Sequence, residues 1–338
     1  MDELDNELIL FDRLNVIKDV VNKYGEDSFY ISFSGGKDST VLHYLVDMAI
    51  PNNRIPRLYI NTGIEYFKIV EFVKQLQAND DRIVIVQPST NIKNALEQYG
   101  YPFKSKQFSH VVEIYKGNKE ICDEYLGKVK DNPSLLFDKD FINNLPKGAK
   151  YIIKEAYGIR TNKNDELYQY NKCPSKLMYL FSDENNLKIS AKCCDILKKH
   201  PAKKWAKENN KFNSMTGIMS DEGGQRAISG RCQVLSKGKL RFNPLIKCTK
   251  EWEQWFIDKY NIKLCDLYYP PYNFQRTGCK GCPYALTLGE QLDAMTKYGM
   301  DNERKQCESI WKPIYQEYRR IGYRLEDYEQ ISFNLEGD

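Results

Sequence analysis

Short apolar runs near the start of the chain alternate with longer stretches of helical period. Residues 28–33 (Ser-Phe-Tyr-Ile-Ser-Phe), 57–60 and 82–86 are rich in β-branched and aromatic side chains and read as strands. Between them, apolar positions recur at helical spacing over 8–24, over 38–50 (Val41, Leu42, Leu45, Met48, Ala49) and over 65–78. Strands that alternate with helices in this order predict an α/β fold, a doubly wound parallel sheet with crossover helices. Ligands of such sheets bind beyond the carboxyl ends of the strands.

The pattern changes over 101–190, where lysines, aromatics and asparagines mix without a clear period. This stretch reads as a helical insertion or lid with little sheet, at about 104–190. Compact motifs return over 191–284. Helical spacing marks about 285–325, through Leu286, Leu288, Leu292 and Met295, then Ile310, Trp311, Ile314, Tyr315 and Tyr318. The expected division is one domain over 1–284 that contains the insertion, followed by a helical extension over 285–338.

One strand–helix junction carries chemistry. Between the first strand and its helix stand Ser34, Gly35, Gly36, Lys37, Asp38 and Ser39. Two glycines let the backbone approach an anion closely. The unpaired N–H groups and the dipole of the new helix favour a phosphate. Lys37 adds a positive charge, and the two serines add hydroxyls. The spacing is not that of the common P-loop, G-x-x-x-x-G-K-S/T. At the end of the next strand, Thr62, Gly63 and Glu65 face the same side of the expected sheet; Thr-Gly also reads simply as a strand end.

Composition narrows the class. The 338 residues are 41% apolar with a net charge of +4, a soluble globular balance. No run reaches the ~20 apolar residues that span a bilayer. The acidic start, Met1-Asp2-Glu3, lacks the basic region of a signal peptide. A cytoplasmic location without membrane contact is the expectation. Ten cysteines in such a chain point to metal or redox chemistry rather than disulfides. Two clusters stand out, Cys193-Cys194 and Cys279-x-x-Cys282. Four thiolates hold either an iron–sulfur cluster or a structural zinc, and buried inert thiols are the plain alternative. Adjacent cysteines share one ion only where the backbone turns, as at a helix start; 195–199 allows that. Cys232 is a reserve ligand.

The string Ser34-Gly35-Gly36-Lys37-Asp38-Ser39 resembles the pyrophosphate loop (PP-loop) of the adenine-nucleotide alpha-hydrolase-like ATP pyrophosphatases. That family includes sulfate adenylyltransferase small subunits, tRNA-thiolating enzymes and relatives of phosphoadenosine phosphosulfate reductase. Cys193-Cys194 with Lys198 and Pro201, then Cys279-x-x-Cys282, is similar to the ligand set of adenylylsulfate reductases, which bind a 4Fe–4S cluster beside the nucleotide. Thr216-Gly217-Ile218-Met219-Ser220-Asp221-Glu222, with Arg226, resembles the G-I-R-x-x-E-x-x-x-R segment of that superfamily, with Met219 where Arg is usual. Asn243-Pro244-Leu245 with Thr249 and Trp252 resembles N-P-L-x-x-W-T, with Cys248 where Trp is usual. Arg276-Thr277-Gly278-Cys279-Lys280-Gly281-Cys282-Pro283 resembles R-x-G-C-x-x-C-P. The likeness covers about 25–95 and 190–285.

The resemblance implies an adenine nucleotide-binding, Rossmann-like fold and cleavage of ATP between the α and β phosphates, with Mg²⁺ bridging the phosphates. Lys37, Gly35 and Gly36 would serve the leaving pyrophosphate, and Asp38 would hold the metal or cap the helix. Thr62, Gly63, Glu65, Gly217 and Glu222 would line the nucleotide site. Arg226 and Arg276 would meet an anion near the cluster, with Lys37, Asp38 and Arg226 as the catalytic set. Cys193, Cys194, Cys279 and Cys282 would be the cluster ligands, with zinc as the other metal. In motif the chain looks like the iron–sulfur sulfurtransferases of DNA phosphorothioation. Those act with a cysteine desulfurase as sulfur donor.

Other readings stay open. A sulfonucleotide reductase commonly has a degenerate loop and a late E-C-G-x-H cysteine; here the loop is complete and only Cys307 comes late, within a helical pattern. A sulfate adenylyltransferase does not need the four cysteines. A nucleotide-sensing module would bind ATP without turnover. Lys198, Lys199, Lys203, Lys204, Lys207 and Lys211, with Trp205 among them, form either a contact for DNA or tRNA phosphates or a solvated helix face.

Overall fold

The computed structural model describes residues 2–220 and 231–325. The chain forms two compact units, one of 1–91, 196–280 and 297–303, the other of 92–195, 281–296 and 304–338. The described strands are β1 (Phe29–Phe33), β2 (Arg57–Ile60), β3 (Ile83–Val86), β4 (Ile159–Thr161), β5 (Leu167–Gln169), β6 (Asn213–Met215), β7 (Gln233–Ser236) and β8 (Lys239–Phe242). The helices are α1 (Glu3–Tyr24), α2 (Lys37–Ala49), α3 (Phe67–Asn79), α4 (Ile92–Tyr99), α5 (Lys106–Gly117), α6 (Lys119–Asp131), α7 (Lys139–Asn144), α8 (Lys147–Tyr157), α9 (His200–Glu208), α10 (Lys250–Lys259), α11 (Leu288–Lys297), α12 (Asp301–Ile310) and α13 (Lys312–Arg320).

The first unit is built on a six-stranded sheet in the order β3-β2-β1-β6-β8-β7. All neighbours run parallel except β7, which pairs antiparallel with β8 at one edge. Ile31 of β1 lies opposite Arg57 on one side and Met215 on the other. From β1 the chain first builds outward through β2 and β3, then returns to add β6 on the opposite side. The topological switch, where such sheets bind ligands, therefore lies between β1 and β6.

Alternation along β1 explains its two faces. Phe29 and Ile31 enter a core shared with Ile17 of α1, Leu42 and Leu45 of α2, and Trp252 and Phe256 of α10. Tyr30 points the other way and meets Trp205 of α9 edge-on, with ring centroids 5.9 Å apart. The acidic N-terminus is a helix cap: Asp5 N–H donates to Asp2 Oδ1 at 2.8 Å, so α1 begins at Glu3 rather than at residue 8. Its first apolar positions, Leu4 and Leu8, are exposed, so the apolar period does not announce this turn.

Beneath α2 a polar cluster is buried. Arg57, fully buried, reaches Asp47 at 2.6 Å and donates from Nε to His43 Nδ1 at 3.0 Å. Arg82 joins the same carboxylate at 2.7 Å and pairs with Asp80 at 2.8 Å. Burial, and next the Arg57 charge, lower the His43 pKa to about 4.

The second unit is mainly helical, with one small antiparallel hairpin of β4 and β5. Val129, Ile142, Ala149 and Ile153 form one of its cores, and Phe103, Phe108 and Tyr318 pack together as an aromatic group. Here the tail is three short helices, and Leu286 is not on one of them: it is 84% exposed just after a turn closed by Ala285 N–H to Cys282 O, before α11 begins at Leu288.

Candidate functional site

The anion loop closes the carboxyl end of β1. Gly35 has φ +69°, and a Cβ there would stand 2.8 Å from Val73 Cγ2 of α3, so only glycine fits on both counts. Ser39 Oγ ties the turn together: it accepts from Ser34 N–H at 3.1 Å, lies 3.0 Å from Ser34 Oγ, and lies 3.0 Å from Gly36 O. Thr40 Oγ1 also donates to Gly36 O at 3.0 Å. The N-cap of α2 is Gly36 and no side chain caps it. Asp38 follows as a carboxylate in the first turn of α2.

Two hydroxyls that the sequence did not single out stand at this helix end. Lys37 N–H donates to the Tyr268 hydroxyl at 3.1 Å, and that hydroxyl is hydrogen-bonded to Thr277 Oγ1. The Lys37 ammonium lies 5.6 Å from the centroid of the Tyr268 ring. From the β6 side, Gly217 presses on the same turn, where a Cβ would come within 2.8 Å of Asp38 O. Met219, at the motif position where Arg is usual, is buried. Asp221, Glu222 and Arg226 lie outside the described residues.

At the end of β2, Glu65 folds back on Thr62, accepting from Thr62 N–H at 3.0 Å and from Thr62 Oγ1 at 2.9 Å. Both residues are buried, whereas Gly63 is exposed. Lys198 Nζ lies 3.2 Å from Glu65 Oε1. Burial pulls the Lys198 pKa down, but Cys279 and Glu65 outweigh it and hold the ammonium above the usual lysine range. Two further links hold the segment after Cys279: Lys280 N–H donates to Ile64 O at 2.9 Å, and the buried Lys280 ammonium pairs with Glu303 at 3.4 Å. Glu303 also accepts from Phe67 N–H at 2.7 Å. Arg276 is exposed. The Tyr59 hydroxyl is buried without a hydrogen-bond partner; burial, then Glu65, push its pKa up, with Lys198 and Cys279 also acting on it.

None of the ten cysteines is in a disulfide. Cys193 and Cys194 occupy the helical turn that leads through 195–199 into α9, the bend that adjacent ligands need. In the second unit burial pushes the pKa of the Tyr284 phenol up, a hydrogen bond with Ser109 opposes this, and Cys194, Cys282 and Cys193 raise it further through their charge. Gly281, at φ +59°, is packed so that a Cβ would stand 2.9 Å from Cys307 Sγ, and its carbonyl accepts from the Tyr315 hydroxyl. Cys307 is buried, as a core residue. Cys232 packs against the sheet core, where the Arg13 charge acts on it.

A family profile described as the phosphoadenosine phosphosulfate reductase domain matches residues 28–127 and 151–285. The chain belongs to that family. The phosphoadenosine phosphosulfate reductase domain is a sulfur-related, nucleotide-binding enzyme family, and its profile spans the anion loop and all four clustered cysteines of this chain. An uncharacterized protein of Methanocaldococcus jannaschii is 32% identical over 94 residues, which is 28% of this chain and 22% of that protein. The match thus spans about a fifth of the relative's length. Two solved structures are similar in part. Phosphoadenylyl-sulfate reductase from Candida auris, a phosphate complex, has a TM-score of 0.40 at 10% identity, over 82% of this chain and 96% of that one. The U34-tRNA thiolase NcsA from Methanococcus maripaludis, with its 4Fe–4S cluster, has a TM-score of 0.35 at 15% identity, over 95% and 81%. Likeness at that level fixes neither activity nor ligand.

For a metal group in this member of the phosphoadenosine phosphosulfate reductase domain family, donor chemistry is the test. Among the described residues no three Cys, His, Asp or Glu side chains are arranged to hold a metal ion. The donors themselves fit: Cys193, Cys194, Cys279 and Cys282 are half-buried, as is Cys232, whereas Cys122, Cys173, Cys248, Cys265 and Cys307 are buried. The orphaned Tyr59 hydroxyl near Cys279 is a donor that a thiolate-bound group would satisfy. Of the basic stretch, Lys198 turns to Glu65, Lys211 donates to Asp27 O at 2.7 Å, and Lys199, Lys203, Lys204 and Lys207 stay exposed. Among the described residues no helix is long and apolar enough to cross a membrane.

Proposed function

We propose that this chain is an ATP-dependent, pyrophosphate-releasing sulfur-transfer enzyme whose four clustered cysteines hold a 4Fe–4S cluster. The observation that carries the reading is the closed Ser34–Ser39 turn at the switch point of a parallel sheet, with Gly217 pressed against it. Backbone N–H groups at a helix start, one lysine and no bulky side chain suit a chain of phosphates. A substrate oxygen attacks the α-phosphorus, the bond to the β-phosphate breaks, and pyrophosphate leaves with the electron pair. The protein's part is positioning and charge stabilisation. Lys37 faces the leaving group, Asp38 supplies a carboxylate for Mg²⁺, and Thr62, Gly63, Glu65 and Gly217 border the nucleotide. Arg226, Glu222 and Arg276 complete the set on motif grounds.

When bound, a 4Fe–4S cluster supplies redox-active iron held by thiolates. The chain's own contribution there is Lys198, a cation beside Cys279, and the Tyr59 hydroxyl. Zinc is the less favoured occupant. The acceptor of sulfur is proposed to be nucleic acid, DNA or tRNA, approached by the exposed lysines of α9, with a cysteine desulfurase as donor.

Family membership favours a second reading, reduction of adenylylsulfate or its 3′-phosphorylated form. Such a substrate lacks the β and γ phosphates, and so leaves the complete loop unexplained. Anaerobic purification followed by counts of iron and acid-labile sulfide, with a pyrophosphate assay on ATP, separates the two. Iron with pyrophosphate release supports sulfur transfer. Iron without ATP cleavage supports the reductase, and a chain that takes up no metal rejects both.

A further inference from the structure

Tyr268 holds both positive groups of Lys37. Its hydroxyl accepts the Lys37 backbone N–H at 3.1 Å, and its ring lies 5.6 Å from the Lys37 ammonium. Lys37 is the first residue of α2, so its amide has no intrahelical acceptor. It is among the N–H groups that a phosphate at this helix start needs. One N–H makes one strong hydrogen bond. A phosphate oxygen and the Tyr268 oxygen therefore compete for it.

We infer that Tyr268 is the exchangeable occupant of the phosphate seat: its hydroxyl and ring hold Lys37 until a nucleotide phosphate takes both groups, and Thr277 then keeps the released hydroxyl. The inference rests on the nucleotide reading of the loop given above. Three observations support the exchange. The competitor is neutral, because burial pushes the Tyr268 pKa up to about 12. A charged phosphate forms the stronger, charge-assisted hydrogen bond and displaces it. Thr277 Oγ1 is already bonded to the hydroxyl, so Tyr268 is not stranded when Lys37 leaves. Gly36 leaves the room: a Cβ there would stand 3.3 Å from the Tyr268 hydroxyl and 3.4 Å from Thr277 Oγ1. Tyr268 is thus a residue that sets phosphate affinity, and Thr277, in the segment leading to Cys279, is its positioning partner.

The test is calorimetric titration of the full chain with inorganic pyrophosphate, for the wild type, Lys37→Ala, Tyr268→Phe and Thr277→Val, each checked for an unchanged melting transition. Removing the competing hydroxyl relieves the bound state of breaking one hydrogen bond, so Tyr268→Phe binds about threefold to tenfold tighter. Thr277→Val binds more weakly, because the released hydroxyl then has no partner. Lys37→Ala loses binding. If Tyr268→Phe binds equally or more weakly while Lys37→Ala still abolishes binding, the exchange is overturned and the loop reading survives; Tyr268 is then a phosphate donor or a simple cap. If Tyr268→Phe does not fold, a Thr277→Val affinity equal to or above the wild type overturns it instead. A wild type that binds no pyrophosphate overturns the loop reading and the exchange with it.

Discussion

Gly217 lies against the backbone of Asp38 so closely that a Cβ would stand 2.8 Å from its carbonyl oxygen and 2.9 Å from its carbonyl carbon. The end of β6 and the start of α2 thus meet without a side chain between them, at the point where the sheet reverses its order. Backbone cannot yield as a flexible side chain does. Gly217→Ala is expected to destabilise the protein by about 1–3 kcal/mol, as overpacking does. Its ATP affinity should fall more than its stability explains, read by titration well below the melting transition.

Lys280 and Glu303 form a buried ion pair that also receives Phe67 N–H, and so fix the residue after Cys279 to the start of α3. Glu303→Ala leaves a buried ammonium without its counter-charge and should destabilise by about 3–5 kcal/mol. The double change Lys280→Met with Glu303→Gln should recover a large part of that loss in urea unfolding. An additive double variant would remove the pair from the account.

Stability should fall in mild acid because of His43. Its folded pKa, about 4, lies below the ordinary 6.5, first through burial and then through Arg57. Between these values the unfolded chain binds a proton that the folded chain refuses, so unfolding becomes easier as pH drops from about 6.5 toward about 4. Protonation at Nδ1 would also remove the acceptor for Arg57 Nε. Urea midpoints across this window should slope down for the wild type and be flatter for His43→Gln, which keeps a polar side chain there.

Much of the fold was legible because it rests on local rules. Period-two and helical spacing placed β1, α2, β2 and β3 to within a residue or two, and the glycines of the loop signalled a close approach before any contact was seen. Tyr268 and Thr277 were not legible. They lie 231 and 240 residues beyond Lys37 in the chain, a tyrosine among tyrosines, and only folding brings them to its amide. The Arg57 cluster was equally hidden, since an arginine at a strand end normally faces water and here Asp47, Asn53 and His43 bind it. The adjacent cysteines were legible in part: their spacing named the pair, and the helical turn that carries them is local, but Tyr284 and Tyr59 beside the thiols came from the fold.

Iron content should follow the two cysteine clusters, not every half-buried thiol, since Cys232 is half-buried as well. Cys279→Ser is expected to lower bound iron and the broad absorption near ~400 nm that thiolate-held iron–sulfur clusters display. Cys307→Ser, at a buried position, should keep its iron while losing some stability, as should Cys232→Ser beside Arg13. Equal iron loss in all three would mean that unfolding, not ligation, was being measured.

The most direct measurement is pyrophosphate release from ATP by the anaerobically purified chain, wild type against Lys37→Ala, with both variants shown to melt alike. The account predicts release by the wild type and a loss of at least about a hundredfold in Lys37→Ala, the scale of removing a preorganised charge contact. Equal release by the two, or none from an iron-loaded wild type supplied with ATP and candidate acceptors, would contradict it.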